Sequence, residues 1–484
     1  GAVMSIFDDI RDHKSREDLE GAWQVGSKAL EQDSGNSFLK TSLFWVIYAE
    51  LKKLLEPIKT RDNNRPHHNE QRMIDLWASR IHMLQLELPS ENIDFRLWNL
   101  FRETGKFCDP ICLFILQRGS ALFSPEDHKP FITEKGESPS VVLRLARMVA
   151  VNYLHKGLVS PLPASRVVAL INYALDKAGD SPKNKIWLEY DKARIFVTAG
   201  DIVRARDAYL SVLKNKRGES WAWFGLAKTY ENEPEKAICL VSFGLTCAHD
   251  PKFSIPGLVR LAELLAQTGV HDYASKALVK LTKIYSNNGW PLKDSIVELT
   301  SSAWFDASLD TSDLDAHVEE LAIGANQYAM AKPTYLSGVL LSLHESGKGA
   351  TIYIHRDLKF SARKAVFENR KIPKPGTLVK IFCDMGSESQ DVVSVENIQA
   401  IETQDIRSFK GSLKVSEKGF GFVNGDIFVP PGLVEGVQRD TDVAGAAVMS
   451  FDKTKNKYGW KAITLFKEVG SPNSGELGPL QGQP

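Results

Sequence analysis

The apolar residues of this chain change period once. From Met4 to about Ala331 they recur at the spacing of amphipathic helices, most clearly in Ser37 to Leu55, Arg72 to Leu88, Val141 to Leu154 and Ser165 to Ala178. Turn residues punctuate the pattern at Pro57, Pro66, Pro89, Pro110, Pro125, Pro139, Pro161-Leu162-Pro163 and Pro182, which predicts a stack of helical hairpins. After Lys332-Pro333 the pattern alternates, and Tyr335 to Leu343, Thr351 to Ile354, Thr377 to Cys383 and Val392 to Ile401 read as strands. A second set begins at Phe409 to Val415 and ends near Phe466. The expected fold is multidomain, α then β: a helical solenoid over 4–331, then two small five-stranded β-barrels over 334–403 and 407–468. The short link at Thr403 to Arg407 makes the barrels close neighbours. Gly1-Ala2-Val3 ahead of Met4 reads as vector-derived, and the Gly/Pro/Ser/Gln-rich segment 470–484 as a disordered tail.

Within the helical half, Trp187 and Trp221 lie 34 positions apart, and Ala193 and Ala227 share that offset. Ala193-x-x-Phe196, Gly200-Asp201 and Ala205-x-x-x-Tyr209 supply the small and aromatic positions at which one helix of a hairpin seats against its partner. Trp223, Ala227, Tyr230, Ala237 and Asp250-Pro251 form a second unit, and Gly269 and Ala274 mark a third. These units, clearest over 187–285, resemble tetratricopeptide repeats. A lone hairpin cannot bury its apolar face, so the upstream helices are expected to continue the solenoid in degenerate form. The resemblance implies a concave surface that binds a protein partner; the plainer alternative is that the helices only support the C-terminal half. Trp221 and Trp223 cannot both face one way on a helix, so at least one belongs to the core.

The β half carries the most specific motif. Lys418-Gly419-Phe420-Gly421-Phe422-Val423 is followed by Asp426-Ile427-Phe428-Val429-Pro430. Alternation sends Phe420 and Phe422 to the same side of a strand, and Phe428 on the next strand adds a third ring. Three rings on one open face form a surface on which nucleotide bases stack, and the interleaved glycines are expected to keep it uncluttered. These residues resemble the two RNA-binding motifs of the cold-shock domain, and the cold-shock-like modules of exoribonucleases of the RNase II type, over Ser408 to Phe466. The resemblance implies an OB-type barrel that holds single-stranded RNA, with Lys418, Phe420, Phe422 and Phe428 at the site. Two other readings compete. A barrel of this kind can be purely structural, and Gly419, Gly421 and Gly425 echo a dinucleotide fingerprint, although that motif needs a following helix and strand-like sequence follows here.

The preceding barrel reads as a divergent copy. Ile352-Tyr353-Ile354-His355 resembles the second cold-shock motif, but Gly347-Lys348-Gly349-Ala350 lacks the aromatic pair of the first. Tyr353 and His355 either contact a base or are merely packed. Between His355 and Lys380 lie Arg356, Lys359, Arg363, Lys364, Arg370, Lys371, Lys374 and Lys380, against only Asp357 and Glu368. That local surplus is expected to meet a nucleic-acid backbone; an exposed, merely solubilising loop is the alternative. His355-Arg356-Asp357-Leu358 spells a protein-kinase catalytic loop, but Ala362 stands where a kinase holds its metal-binding Asn, and no Asp-Phe-Gly follows.

Bulk properties limit the remaining possibilities. Sixty basic and sixty acidic residues in 484 give zero formal net charge, so nucleic-acid affinity must come from local patches. A 43% hydrophobic fraction supports substantial cores. Neither a long apolar run nor a signal sequence is found, and the five cysteines, Cys108, Cys112, Cys239, Cys247 and Cys383, fit reduced thiols; both point to the cytoplasm and to no membrane partner. Cys108-x-x-x-Cys112 lacks a second ligand pair at finger spacing, and His67-His68 lies in a polar loop without a carboxylate pair. No catalytic, phosphate-loop or zinc-helix motif is recognisable, and neither metal nor other cofactor is expected. The sequence therefore reads as a non-enzymatic, cytoplasmic, bacterial adaptor that binds single-stranded RNA, with single-stranded DNA as the alternative ligand. The runners-up are a protein-interaction scaffold of a bacterial stress-response or defence system, and a nuclease with unrecognised catalytic residues in the helical half.

Overall fold

The computed structural model describes residues 4–386, 391–401 and 403–468. The segment 470–484 and Gly1-Ala2-Val3 lie outside these. The chain divides into two compact units at Ile323–Gly324, upstream of the Lys332-Pro333 link at which the apolar period changes. The link belongs to the sheet that follows it, because the buried Asp384 carboxylate accepts hydrogen bonds from the Ala331 and Lys332 amides at 3.0 and 2.9 Å.

The first unit is helical. Its helices start where capping chemistry places them: the Asn36 side chain accepts from the Leu39 amide to open Ser37–Lys59, and Ser140 accepts from Leu143 to open Val141–Lys156. Pro57 does not break its helix as expected but lies inside the last turn of Ser37–Lys59. One apolar core runs through the helices from Ile10 to Ile195, with Phe44, Trp77 and Phe101 among its buried rings. A short exposed hairpin, Phe131–Thr133 with Gly136–Ser138, interrupts the helices and has no counterpart in the apolar pattern. Among the described residues, no helix is long and apolar enough to cross a membrane.

The repeat in the sequence becomes three helical hairpins: Pro182–Thr198 with Ile202–Lys216, Ser220–Lys228 with Pro234–Cys247, and Pro251–Gln267 with His271–Asn287. Proline opens three of these helices at the first turn, where its missing N–H costs nothing. Ala193, Ala205, Ala227, Ala237 and Ala274 are buried where the helices meet. Gly225 is closer still, since a Cβ there would stand 2.3 Å from the Tyr209 ring. Trp223 is fully buried, while Trp221 stacks on Trp187 with ring centroids 5.0 Å apart.

The second unit holds β1 (Pro333–Leu343), β2 (Gly349–His355), β3 (Leu358–Arg363), β4 (Leu378–Asp384), β5 (Val392–Asn397), β6 (Ile406–Val415), β7 (Gly421–Val423), β8 (Ile427–Val429), β9 (Asp442–Asp452), β10 (Lys457–Ala462) and β11 (Phe466–Lys467). The first five form one sheet in the order β3-β2-β1-β4-β5. It is an open half-barrel, not the closed five-stranded barrel expected, because its edge strands β3 and β5 do not pair among the described residues. The second set runs β10-β8-β7-β6-β9, and pairing of β9 with β10 closes it into a ring to which β11 adds along β9.

Each sheet has its own core, Leu340, Ile352, Phe360, Val379 and Ile381 in the first and Phe409, Leu413, Val423, Ile427 and Val443 in the second. The sheets are more than neighbours. Val339, Tyr353 and Leu378 of the half-barrel pack with Ile406, Ala446 and Val448 of the ring in a third cluster.

Candidate nucleic-acid interface

Alternation along three paired strands builds the aromatic face. Leu413, Val423 and Ile427 point inward and are fully buried. The residues between them, Lys414, Phe422 and Phe428, stand opposite one another on the outer side. Phe420, just ahead of β7, completes the group: the ring centroids of Phe420, Phe422 and Phe428 are 5.6–5.9 Å apart and all three rings are half-buried. None of them belongs to the core clusters described for the two sheets. Such rings retain faces that can receive a base.

The glycines of this motif do different work from that expected. Gly419 holds φ at +90° in the turn that connects β6 to β7, where the Ser416 amide donates to the Phe420 carbonyl at 2.8 Å. Gly421 faces inward, and a Cβ there would meet Leu413 Cδ1 at 2.8 Å and the Lys414 carbonyl at 3.0 Å. Neither glycine clears the outer face; one makes the turn and the other lets β6 and β7 approach. Asn424 and Gly425, at φ of 56° and 76°, then turn the chain into β8. The glycine run leads directly into the strand β8 and not into a helix N-terminus, which does not fit the dinucleotide geometry.

Cations flank the rings. Lys418 is exposed at the turn and makes no ion pair among the described residues. Lys414, across from Phe422, pairs with Asp440 at 2.8 Å and holds that carboxyl below its usual range.

The half-barrel distributes its candidates differently. Tyr353 is only 2% exposed, burial pushes its hydroxyl up, and the hydroxyl donates to the Met449 carbonyl at 2.6 Å. Of the two readings of this ring, the packed one holds, because the neighbouring ring of strands covers its face. Arg356 is also engaged: its backbone amide and guanidinium donate to the buried Asp405 carboxylate at 2.7–3.2 Å. His355 is exposed, its Nδ1 accepting from the Asp357 amide at 3.1 Å, so His355-Arg356-Asp357 is the tip of the β2–β3 hairpin and has no kinase-like surroundings.

Lys359, Arg363, Lys364, Arg370 and Lys371 are all exposed, and none makes an ion pair within the described residues. They do not sit on one loop. Lys359 and Arg363 lie on the outer side of β3, opposite the buried Phe360 and Ala362, and the others on two short turns beyond it. Arg370 and its neighbour Asn369 hold φ near +53°, a left-handed corner that turns the segment toward β4.

The alternation of Tyr458-Gly459-Trp460 repeats the aromatic-glycine-aromatic spacing of Phe420-Gly421-Phe422, a signal the sequence reading passed over. Tyr458 stands opposite Phe451, and Arg407 lies 4.7 Å from the Trp460 ring centroid. Elsewhere all five cysteines are free thiols; burial pushes Cys108 and Cys112 up, and no group of His, Cys, Asp and Glu among the described residues is placed to hold a metal ion.

Two family models match the chain, neither reaching half of it. Residues 407–465, which form the ring of strands, match the model described as S1/CSD-like domain 2 of the TOTE conflict systems. Residues 186–325, which contain the three helical hairpins, match a domain of unknown function, DUF7017. No curated protein matches. The C-terminal resemblance to cold-shock-like modules is thus supported, and the helical half is consistent with a helical repeat whose matching model is not a tetratricopeptide one.

Proposed function

We propose that this protein is a non-enzymatic, single-stranded RNA-binding adaptor of a bacterial conflict system, in which the β unit holds the strand and the helical hairpins engage a protein partner. The observation that carries the reading is the set of three half-exposed phenylalanine rings on the outer side of β7 and β8, a costly surface for a protein to leave uncovered without a ligand. Stacking needs bases whose faces are free, which favours a single strand over a duplex. The match of the same residues to an S1/CSD-like model supports a nucleic-acid-binding module, and that model's attribution to conflict systems brings the defence setting into the reading. The second barrel is read as OB-type, and the half-barrel as a reduced relative that contributes cations more than rings.

The test replaces Phe420, Phe422 and Phe428 together with Ala and measures binding of a short single-stranded RNA by fluorescence anisotropy, with the same sequence as DNA in parallel. Each stacked base contributes about 1–3 kcal/mol, so a loss of at least about tenfold is expected. Unchanged affinity in a folded variant contradicts the reading.

A further inference from the structure

A cleft of about 490 Å³ opens where the half-barrel and the ring of strands meet. That lies within the range of about 300–1,000 Å³ typical of small-ligand sites. Tyr353 and Val448, from the cluster shared by the two sheets, contribute to its lining. Phe451 and Tyr458, directly opposite each other on β9 and β10, also line it, with ring centroids 5.3 Å apart and exposures of 47% and 38%. The Arg356 guanidinium lies 4.8 Å from the Tyr458 ring centroid and is fixed there by Asp405.

The charge of the cleft has one sign. Lys359 and Lys461 both line it, both are exposed, and neither pairs with a carboxylate among the described residues. Among the described residues, no Asp or Glu lines the cleft. Exposed aromatic faces beside unpaired cations suit a ligand that is planar and anionic at once, which is the chemistry of a nucleotide.

Position makes the cleft a continuation of the aromatic face. Phe428 pairs with Lys461 across β8 and β10, and Pro430, two residues beyond Phe428, lines the cleft. We propose that the cleft is a second base-binding subsite that takes the next nucleotides of the strand held on Phe420, Phe422 and Phe428. The inference rests on the reading of that face as a single-strand site. Lys461 meets the phosphate between the two subsites, Tyr458 and Phe451 receive a base, and Lys359 meets the backbone beyond it.

The experiment uses the intact chain and oligouridylates of about 4 and about 12 nucleotides, lengths that both fall within the site sizes of single OB folds. In a chain carrying Phe451→Ala and Tyr458→Ala, affinity for the longer probe is expected to fall at least about tenfold, while the shorter probe binds within about twofold of the parent. An unchanged longer probe, while the Phe420, Phe422 and Phe428 variant loses it, overturns the cleft and leaves the aromatic face standing. If neither variant loses affinity, the reading of the face fails and the cleft falls with it. Equal losses for both probes overturn a separate subsite. Should the aromatic variant melt early, Lys359→Gln with Lys461→Gln decides, since both side chains are exposed: weakening of the longer probe alone supports the cleft, and no weakening overturns it.

Discussion

Asp405 ties the two sheets of the β unit together. It is 5% exposed, its carboxylate accepts the Arg356 backbone and side chain, and its backbone carbonyl accepts from the Met449 amide at 3.0 Å. The Arg356 hydrogen bonds hold the Asp405 carboxyl below its ordinary value of 3.8. A depressed folded value means that this contribution is complete above pH 3.8 and is lost as the pH falls through the lower, folded value. Asp405→Asn is therefore expected to lower the melting temperature at neutral pH by about 3 °C or more and to flatten the acid limb of the stability curve below pH 4. Thermal melts across pH check this, and an unchanged acid limb contradicts it. The role of Asp405 was not legible in the sequence, where it sits in a short link. Its partner is 49 positions away, and only the packing of one sheet on the other makes the link a junction. Tyr353 was ambiguous for the same reason. Its strand alternates in the manner of a surface tyrosine, and the sheet that buries it is a separate element of the chain.

At the scale of elements, the β6–β7–β8 motif was the most readable part of the molecule, because alternation and turn glycines are local rules. The three rings appear on one side as expected; the glycines were misread, since Gly421 alternates with Phe422 and must face the core. Strand β3 is not legible in the sequence. Leu358 to Arg363 alternates in burial, but its polar positions carry Lys359 and Arg363, and a run of charge suits an exposed loop as well as a strand. Arg363, Lys364, Arg370 and Lys371 nevertheless remain exposed, with no ion pair among the described residues. Replacing these four with Gln is expected to weaken unrelated RNA sequences alike, and to make the slope of log affinity against log salt shallower by roughly 0.7 for each phosphate contact removed. A salt titration of parent and variant measures it. An unaltered slope would assign these side chains to solubility, and a changed sequence preference would assign them to bases.

At the scale of the whole molecule, the single change of apolar period falls several residues after the Ile323–Gly324 division between the mainly helical unit and the unit that holds the two large sheets. The turn Ala325–Ala329 and the amides capped by Asp384 carry no period of their own, so only contacts reveal which unit owns them. Closure of the first sheet was likewise not legible, since each strand has suitable alternation and only the failure of β3 to pair with β5 leaves it open. The central claim is that the nucleic-acid site lies wholly within the β unit, with the helical hairpins reserved for a protein partner. Its most direct test compares the binding of one single-stranded RNA to the intact chain, to Gly324–Glu468 and to Met4–Ile323 by titration at a fixed salt concentration. The β fragment is expected to stay within about threefold of the intact chain, with the helical fragment weaker by about a hundredfold or more, the loss of several stacked bases. RNA affinity carried by Met4–Ile323, with Gly324–Glu468 folded and inert, would contradict the assignment of the site.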